Sequence, residues 1–443
     1  MRTEFALAVG SVLVALLLAE VSIRLVDRIR CFDDTSGIFV EPHPLYGWRH
    51  TPGTAAWAKR CRGTVPEWAT YVRINSHGLR DREIPYERDD AYRILVLGDS
   101  FAQALQVELD QTFVKQVERR LIAAAPAGRR VEVINTGVGG YGTTNELLYY
   151  RYEARKYRPD LVLLAFDTEN DAMENSMPLV REVPAYYPDK PFFVFNGGRL
   201  VLQNFPMTQR AQPWRTVGEL DRSLARHSMF YRFVHSLSLP RLPTPAHAAG
   251  DAAPPLGTIG TLLKDYPPEW QEAWRITRAL LRRLRRDVER DGSRFGVVVI
   301  SGAAEVSERQ LARRLYFARQ GRARDRFDMD KSYRMITRFL RREHIPFVPL
   351  LEAFRAHLRD TGVDGYFQWD PHWTVVGHTL AADVIVRGLE DLQLVPRAAT
   401  PADGHDLSGT DARHHGDAPV AAGRAAREGT SPSARSVRAM PAA

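Results

Sequence analysis

The sequence holds only two cysteines, Cys31 and Cys61, in 443 residues. Two cannot build a zinc site by themselves. They are open to two readings, free thiols in a reducing compartment or a pair in an oxidising one. Zinc-finger spacing is absent, and so is any basic helix interleaved with aromatic residues. The formal net charge of +8 therefore does not argue for nucleic acid. It suits a membrane surface or an acidic polymer as well. There are no internal repeats. At 44% hydrophobic and 26% charged residues, the chain can build a packed core.

Charge is missing from Phe5 to Ala19 (FALAVGSVLVALLLA), and the helical pattern runs on through VSIRLV. With Val21 to Ile23 included, the run reaches the ~20 residues that cross a bilayer. Glu20 and Arg24 then form an i,i+4 pair at headgroup level. No A-x-A cleavage site follows, so residues 1–30 are predicted to be an uncleaved signal anchor. Arg24, Arg28 and Arg30 follow the helix and only Arg2 precedes it, which by the positive-inside rule would hold the body in the cytoplasm.

Residues 31–92 resemble an irregular leader rich in Pro, Gly and Trp. Within it, VRINSHGLRD (72–81) reads as a short strand and a turn at Gly78, a structural hairpin. The pattern then changes. RILVLG (93–98), VEVIN (131–135), LVLLAF (161–166), FGVVVI (295–300) and IPFVPL (345–350) are short apolar runs of the kind that form buried parallel strands. Helical periodicity lies between them, at 110–124, 143–157, about 268–290 and 329–343, with a last helix at about 375–391. This alternation predicts an α/β fold, a doubly wound and mostly parallel sheet flanked by helices, over 93–393. Residues 172–260 lose the rhythm and read as a large insertion. The segment 394–443 has few large apolar residues and is predicted to be disordered.

Four elements fall at strand ends, where open α/β sheets bind ligands. Gly98-Asp99-Ser100-Phe101 follows the first strand and presents a serine hydroxyl at a helix start. Alone, Ser100 or Asp99 could equally be a helix cap. The glycines of Asn135-Thr-Gly-Val-Gly-Gly-Tyr-Gly142 can bring a backbone N–H close to a substrate oxygen. Asn170-Asp171 offers a side-chain N–H, though such a pair is also a common turn. In Asp370-Pro371-His372-Trp373 the proline keeps the chain extended, so residues i and i+2 project to one side. A carboxylate can then fix the imidazole tautomer, and the imidazole can take the serine proton. The bland reading is a cap and a structural histidine, as for His378 on the last helix. A metal site of Asp370, His372 and His378 would lack its remaining ligands. Nucleophile, oxyanion donors and an Asp–His pair in this order are what acyl transfer requires.

In these blocks the chain resembles the SGNH/GDSL hydrolase superfamily. GDSF (98–101) is similar to its first block, Gly140 to the second-block glycine, Asn170 to the third-block asparagine, and Asp370 and His372 to the last block. The D-x-H-W form is similar to that of alginate-type O-acetyltransferases, whereas most superfamily members have D-x-x-H. VRINSHGLRD and KPFFVFNGGRL (190–200) look like the membrane-anchored, envelope-associated branch. Glu169 stands where the family has glycine, and the insertion has no simple family counterpart. The resemblance implies an SGNH/flavodoxin-like fold. It implies catalysis by Ser100, His372 and Asp370, with an oxyanion hole of Ser100, Gly140 and Asn170. It implies an acyl-ester or carbohydrate substrate, the acetyl groups of an envelope or exported polysaccharide, without a cofactor, a metal or nucleic acid. Together with the cysteines, taken as a Cys31–Cys61 disulfide, it favours an extracytoplasmic body on a bacterial inner membrane, against the arginine count.

Two rivals predict different chemistry. Gly137-Val-Gly-Gly-Tyr-Gly142 fits the dinucleotide fingerprint G-x-G-x-x-G, with Asp167 as the ribose-binding acid. It does not follow the first strand, and it leaves GDSF and DPHW without a role. The other rival is a non-catalytic carbohydrate-binding scaffold on the same fold.

Overall fold

The computed structural model describes residues 2–29, 31, 40–126, 129–183, 189–207, 224, 228–231, 234, 256–317 and 324–396. The predicted disordered tail lies, beyond residue 396, outside the described residues, as does much of the predicted 172–260 insertion.

The chain begins with a long helix, α1 (Arg2–Ile29). Within Thr3–Asp27 an 18-residue stretch has a mean hydropathy of 2.3, and none of it is buried by the rest of the chain. By length and composition it can cross a membrane, and an uncleaved anchor and a signal sequence both fit it.

The leader is not irregular. It folds into two antiparallel hairpins, β1 (Val40–His43) with β2 (Gly47–His50), and β3 (Ala55–Arg62) with β4 (Val65–Arg73). Their period of two is masked in the sequence because Trp57 and Tyr71 lie on the exposed face while Trp68 and Val72 lie on the buried one. A bulge at Arg60/Cys61 breaks the alternation further.

The core is a five-stranded parallel sheet: β5 (Tyr92–Gly98), β6 (Val131–Asn135), β7 (Leu161–Asp167), β10 (Arg294–Ile300) and β11 (Phe347–Pro349). A further hairpin, β8 (Phe192–Asn196) with β9 (Arg199–Gln203), lies outside it. The order is β11-β10-β7-β5-β6, the flavodoxin-like arrangement. From β5 the chain winds first to one side and then to the other, which opens a crevice at the carboxyl ends of β5 and β7.

The helices in chain order are α2 (Ser100–Gln103), α3 (Phe113–Ala124), α4 (Thr143–Tyr152), α5 (Asp171–Glu174), α6 (Met177–Arg181), α7 (Pro268–Arg290), α8 (Ala303–Val306), α9 (Glu308–Phe317), α10 (Lys331–Arg342), α11 (Leu351–Thr361) and α12 (Val375–Asp391). One face of the sheet, with Leu95, Leu97, Val162 and Leu164, packs on α4, α7 and α10. The other, with Ile94, Val96, Leu163 and Val298, packs on α3, α11 and α12. α7 shows why. Trp270, Trp274, Leu281, Leu284 and Val288 fall at helical spacing and are buried, while Arg275, Arg282 and Arg285 lie on its solvent side. Strands buried on both faces are apolar throughout, which made them visible in the sequence.

Candidate active site

β5 ends in Gly98, and the chain turns at once into α2. Asp99, fully buried, caps that helix by accepting from the Phe101 N–H through Oδ1 at 2.8 Å. Its Oδ2 accepts from Asn170 Nδ2 at 2.9 Å, across the crevice from the end of β7. Burial pushes the Asp99 carboxyl up, against the hydrogen bonds from Asn170 and Phe101. So the cap reading of the GDSF block belongs to Asp99, and Ser100 is left with its hydroxyl free for other work. α2 stops after one turn because Ala104 adopts a left-handed conformation. The fully buried Arg80 braces that turn by donating to the carbonyls of Gln103, Ala104 and Val107.

Ser100 Oγ lies 2.8 Å from His372 Nε2, and His372 Nδ1 is hydrogen-bonded to Asp370 Oδ1. The three side chains thus form one continuous line from opposite ends of the chain. Asp370 is 1% exposed. Burial would raise its pKa, but the charge and hydrogen bonds of His372, with Arg60 beyond, hold the carboxyl well below the usual range. Burial likewise pulls His372 down. The Asp370 charge and hydrogen bond, aided by Asp99 and Glu169, outweigh it, and the imidazole lies above its ordinary value of 6.5.

The second oxygen of Asp370 is held from β4. Trp68 Nε1 donates to Oδ2 at 2.9 Å, with Gln106 Nε2 at 3.5 Å and Arg60 Nε at 4.0 Å. The neighbouring Glu67 carboxylate accepts from the backbone N–H groups of Trp369 at 2.7 Å and Asp370 at 3.1 Å. Sequence reasoning missed this support. No local pattern signals a partner 302 positions away.

The glycine-rich loop after β6 lies close over α2. A side chain at Gly137 would come within 2.4 Å of Ala102 Cβ, and one at Gly139 within 3.8 Å of Ser100 Cβ. Gly140 has a φ of +77°, a conformation that favours glycine. The Gly139 carbonyl is fixed by Trp48 Nε1 at 3.0 Å. These glycines serve close packing on the serine turn, and they follow β6, an edge strand of the sheet. Asp167 receives the Glu169 N–H at 3.0 Å and closes a local turn. The dinucleotide reading is left without its geometry.

Asn170 sits at the crevice with one amide hydrogen committed to Asp99, and its buried Oδ1 has no partner among the described residues. Glu169, the departure from the family pattern, pairs with Arg314 of α9 and accepts from Thr258 Oγ1 at 3.1 Å. It therefore ties the end of β7 to α9 rather than facing solvent. Behind Asn170, Lys190 Nζ reaches Asn145 Oδ1 at 2.9 Å and Glu174 Oε2 at 3.4 Å. Burial raises Glu146, Asp171 and Glu174, the last to about 8. His378 is not at the site. Its Nδ1 accepts from the Phe113 N–H at 3.2 Å and its ring stacks on Phe113. The metal reading of Asp370, His372 and His378 is thereby left without its third member.

Residues 265–442 match the family model of the SGNH hydrolase-like domain of the acetyltransferase AlgX. That part of the chain is similar to an SGNH hydrolase-like domain. The match takes in Asp370 and His372, while Ser100 lies before it. Among solved structures, the chain is similar to a catalytic mutant of an acetylxylan esterase from Geobacillus stearothermophilus. That similarity is 15% identity with a TM-score of 0.35, over 67% of this chain and 94% of that one. It is similar to TesA at 14% identity and a TM-score of 0.35, over 68% and 99%. It is also similar to a two-domain esterase active on acetylated mannans, co-crystallised with mannopentaose. There the identity is 12% and the TM-score 0.34, over 70% and 52%. No curated protein matches by sequence.

Proposed function

We propose that the protein is a serine-dependent acyl-ester hydrolase or O-acyltransferase that works through an acyl-enzyme on Ser100, on acetyl groups of an envelope or exported polysaccharide. The observation that carries this is the line from Ser100 Oγ through His372 to Asp370, with 2.8 Å at the serine.

His372 Nε2 takes the proton of Ser100 as the alkoxide attacks the ester carbonyl. Asp370 holds the tautomer and stabilises the imidazolium that forms. The oxyanion is received by the backbone N–H groups of Ser100 and Gly140 and by the second amide hydrogen of Asn170. One such donor is worth on the order of 100- to 1000-fold in turnover. His372 then returns the proton to the leaving oxygen. Water or a sugar hydroxyl attacks the acyl-enzyme in the second half, with His372 as base again. The acetyl group is supported by the acetyltransferase family whose model the chain matches. An extracytoplasmic body, held by α1, suits an envelope substrate and a Cys31–Cys61 disulfide.

The test is labelling with a fluorophosphonate probe, wild type beside Ser100→Ala and His372→Ala. Labelling that is lost in both variants is expected. An unlabelled wild type would overturn the reading.

A further inference from the structure

Two ties join the β3–β4 hairpin to the end of α1. The Cys31–Cys61 disulfide links β3 to the chain just beyond the helix. Lys59 Nζ pairs with Asp27 Oδ2 at 2.5 Å. Taken in order, they give β3 a direction. From Cys61 back to Lys59 the strand descends from the level of residue 31 to that of residue 27. Continuing the same way, Trp57 lies about 7 Å further at ~3.3 Å per residue.

At that point the strand shows an aromatic pair to solvent. Trp57 is 57% exposed and Tyr71 39%. They face each other in register across the hairpin, edge to face at 5.6 Å. Arg73 lies over the Tyr71 ring at 5.5 Å, two residues further in the same direction, opposite Ala55. Two exposed rings with a cation beside them are the composition of a bilayer interface, where indole and phenol rings settle among headgroups and arginine meets phosphate.

The level agrees with the helix. From Thr3 to Glu20, α1 rises about 26 Å at ~1.5 Å per residue, close to the ~30 Å of a hydrocarbon core. Among the described residues, Ala19 and Glu20 are also where protein first covers the helix. The Glu20 carboxylate accepts from Ser228 Oγ at 2.8 Å and from the N–H groups of Met229 at 2.9 Å and Phe230 at 2.8 Å. The stretch from Glu20 to Asp27 thus falls in the headgroup layer, and the descending end of β3 falls beside it.

We propose that the Trp57–Tyr71–Arg73 face of the hairpin docks on the headgroup region of the membrane that α1 crosses. The proposal rests on α1 crossing a membrane. The hairpin is then a second contact with the bilayer, and it fixes the tilt of the catalytic body that α1 alone would leave free to swing.

The full chain is reconstituted into vesicles of phosphatidylethanolamine and phosphatidylglycerol whose acyl chains are brominated near the ester end. Bromine quenches tryptophan only at close range, and α1 contains no tryptophan. Wild type should lose fluorescence relative to unbrominated vesicles, and Trp57→Phe should abolish most of that loss while keeping its fluorophosphonate labelling. Equal quenching of both proteins, or quenching of Trp57 by aqueous iodide in place of bromolipid, would overturn the docking. Failure of the wild type to float with vesicles would instead overturn the membrane reading of α1, and the docking with it.

Discussion

The indole of Trp68 holds the oxygen of Asp370 that His372 does not use, at 2.9 Å. The carboxylate is thereby clamped between a strand of the N-terminal hairpin and the imidazole it orients. Trp68→Phe keeps the ring and removes the N–H. A hydrogen bond to a buried charge contributes about 1.5–3 kcal/mol. Loss of that amount in the transition state corresponds to a fall of about 10- to 100-fold in labelling rate. Stopped-flow or gel-based labelling kinetics, with thermal melting to show that the fold persists, checks this.

The pH profile should show the raised imidazole. His372 acts as a base only when neutral, so the acid limb of kcat/KM is expected above pH 6.5, the ordinary value. In Asp370→Asn the charge that raises it is gone while burial remains. The limb should then move to lower pH even as the rate falls on the order of 1000-fold or more. A limb that stays in place would show that Asp370 does not set the His372 pKa.

Stability should decline towards alkaline pH. The folded-state pKa of Glu174 is raised to about 8 from 4.5 by burial. Between those values the folded protein keeps a proton that the unfolded chain has released, so stability falls as pH rises through that window. Glu146 and Asp171 shift the same way. Melting temperatures from pH 5 to pH 9, a range of about four units spanning this linkage, should fall in the wild type and flatten in Glu174→Gln.

The disulfide closes a loop with a sequence separation of 30. By chain entropy such a closure contributes roughly 3–4 kcal/mol. Replacing both cysteines by serine should lower the melting temperature. It should also loosen the β3–β4 hairpin, which hydrogen exchange over residues 55–73 would detect as faster exchange.

The parallel sheet was legible because its strands are buried on both faces and read as unbroken apolar runs, as in RILVLG and LVLLAF. α7 and α12 were legible from periodicity, and their bounds at 268–290 and 375–391 agree with the structure. α8, α9 and α11 were not, being short and dense in arginine or wedged between loops. In the site, Ser100, Asp370 and His372 announced themselves because each stands at the edge of a regular element. The residues that orient them did not. Trp68, Glu67 and Arg80 act through contacts whose partners are distant in sequence, or through backbone carbonyls that carry no residue signature.

The span of the site along the chain also sets a clock. Ser100 precedes His372, its proposed base, by 272 positions. At a synthesis rate of roughly 5–20 residues per second, the serine waits about 14–54 s for His372 to be made. Throughout that interval the nascent polypeptide holds an alcohol of ordinary reactivity. Under the proposed mechanism its potency arrives only once Asp370 and His372 have been made and have folded against it.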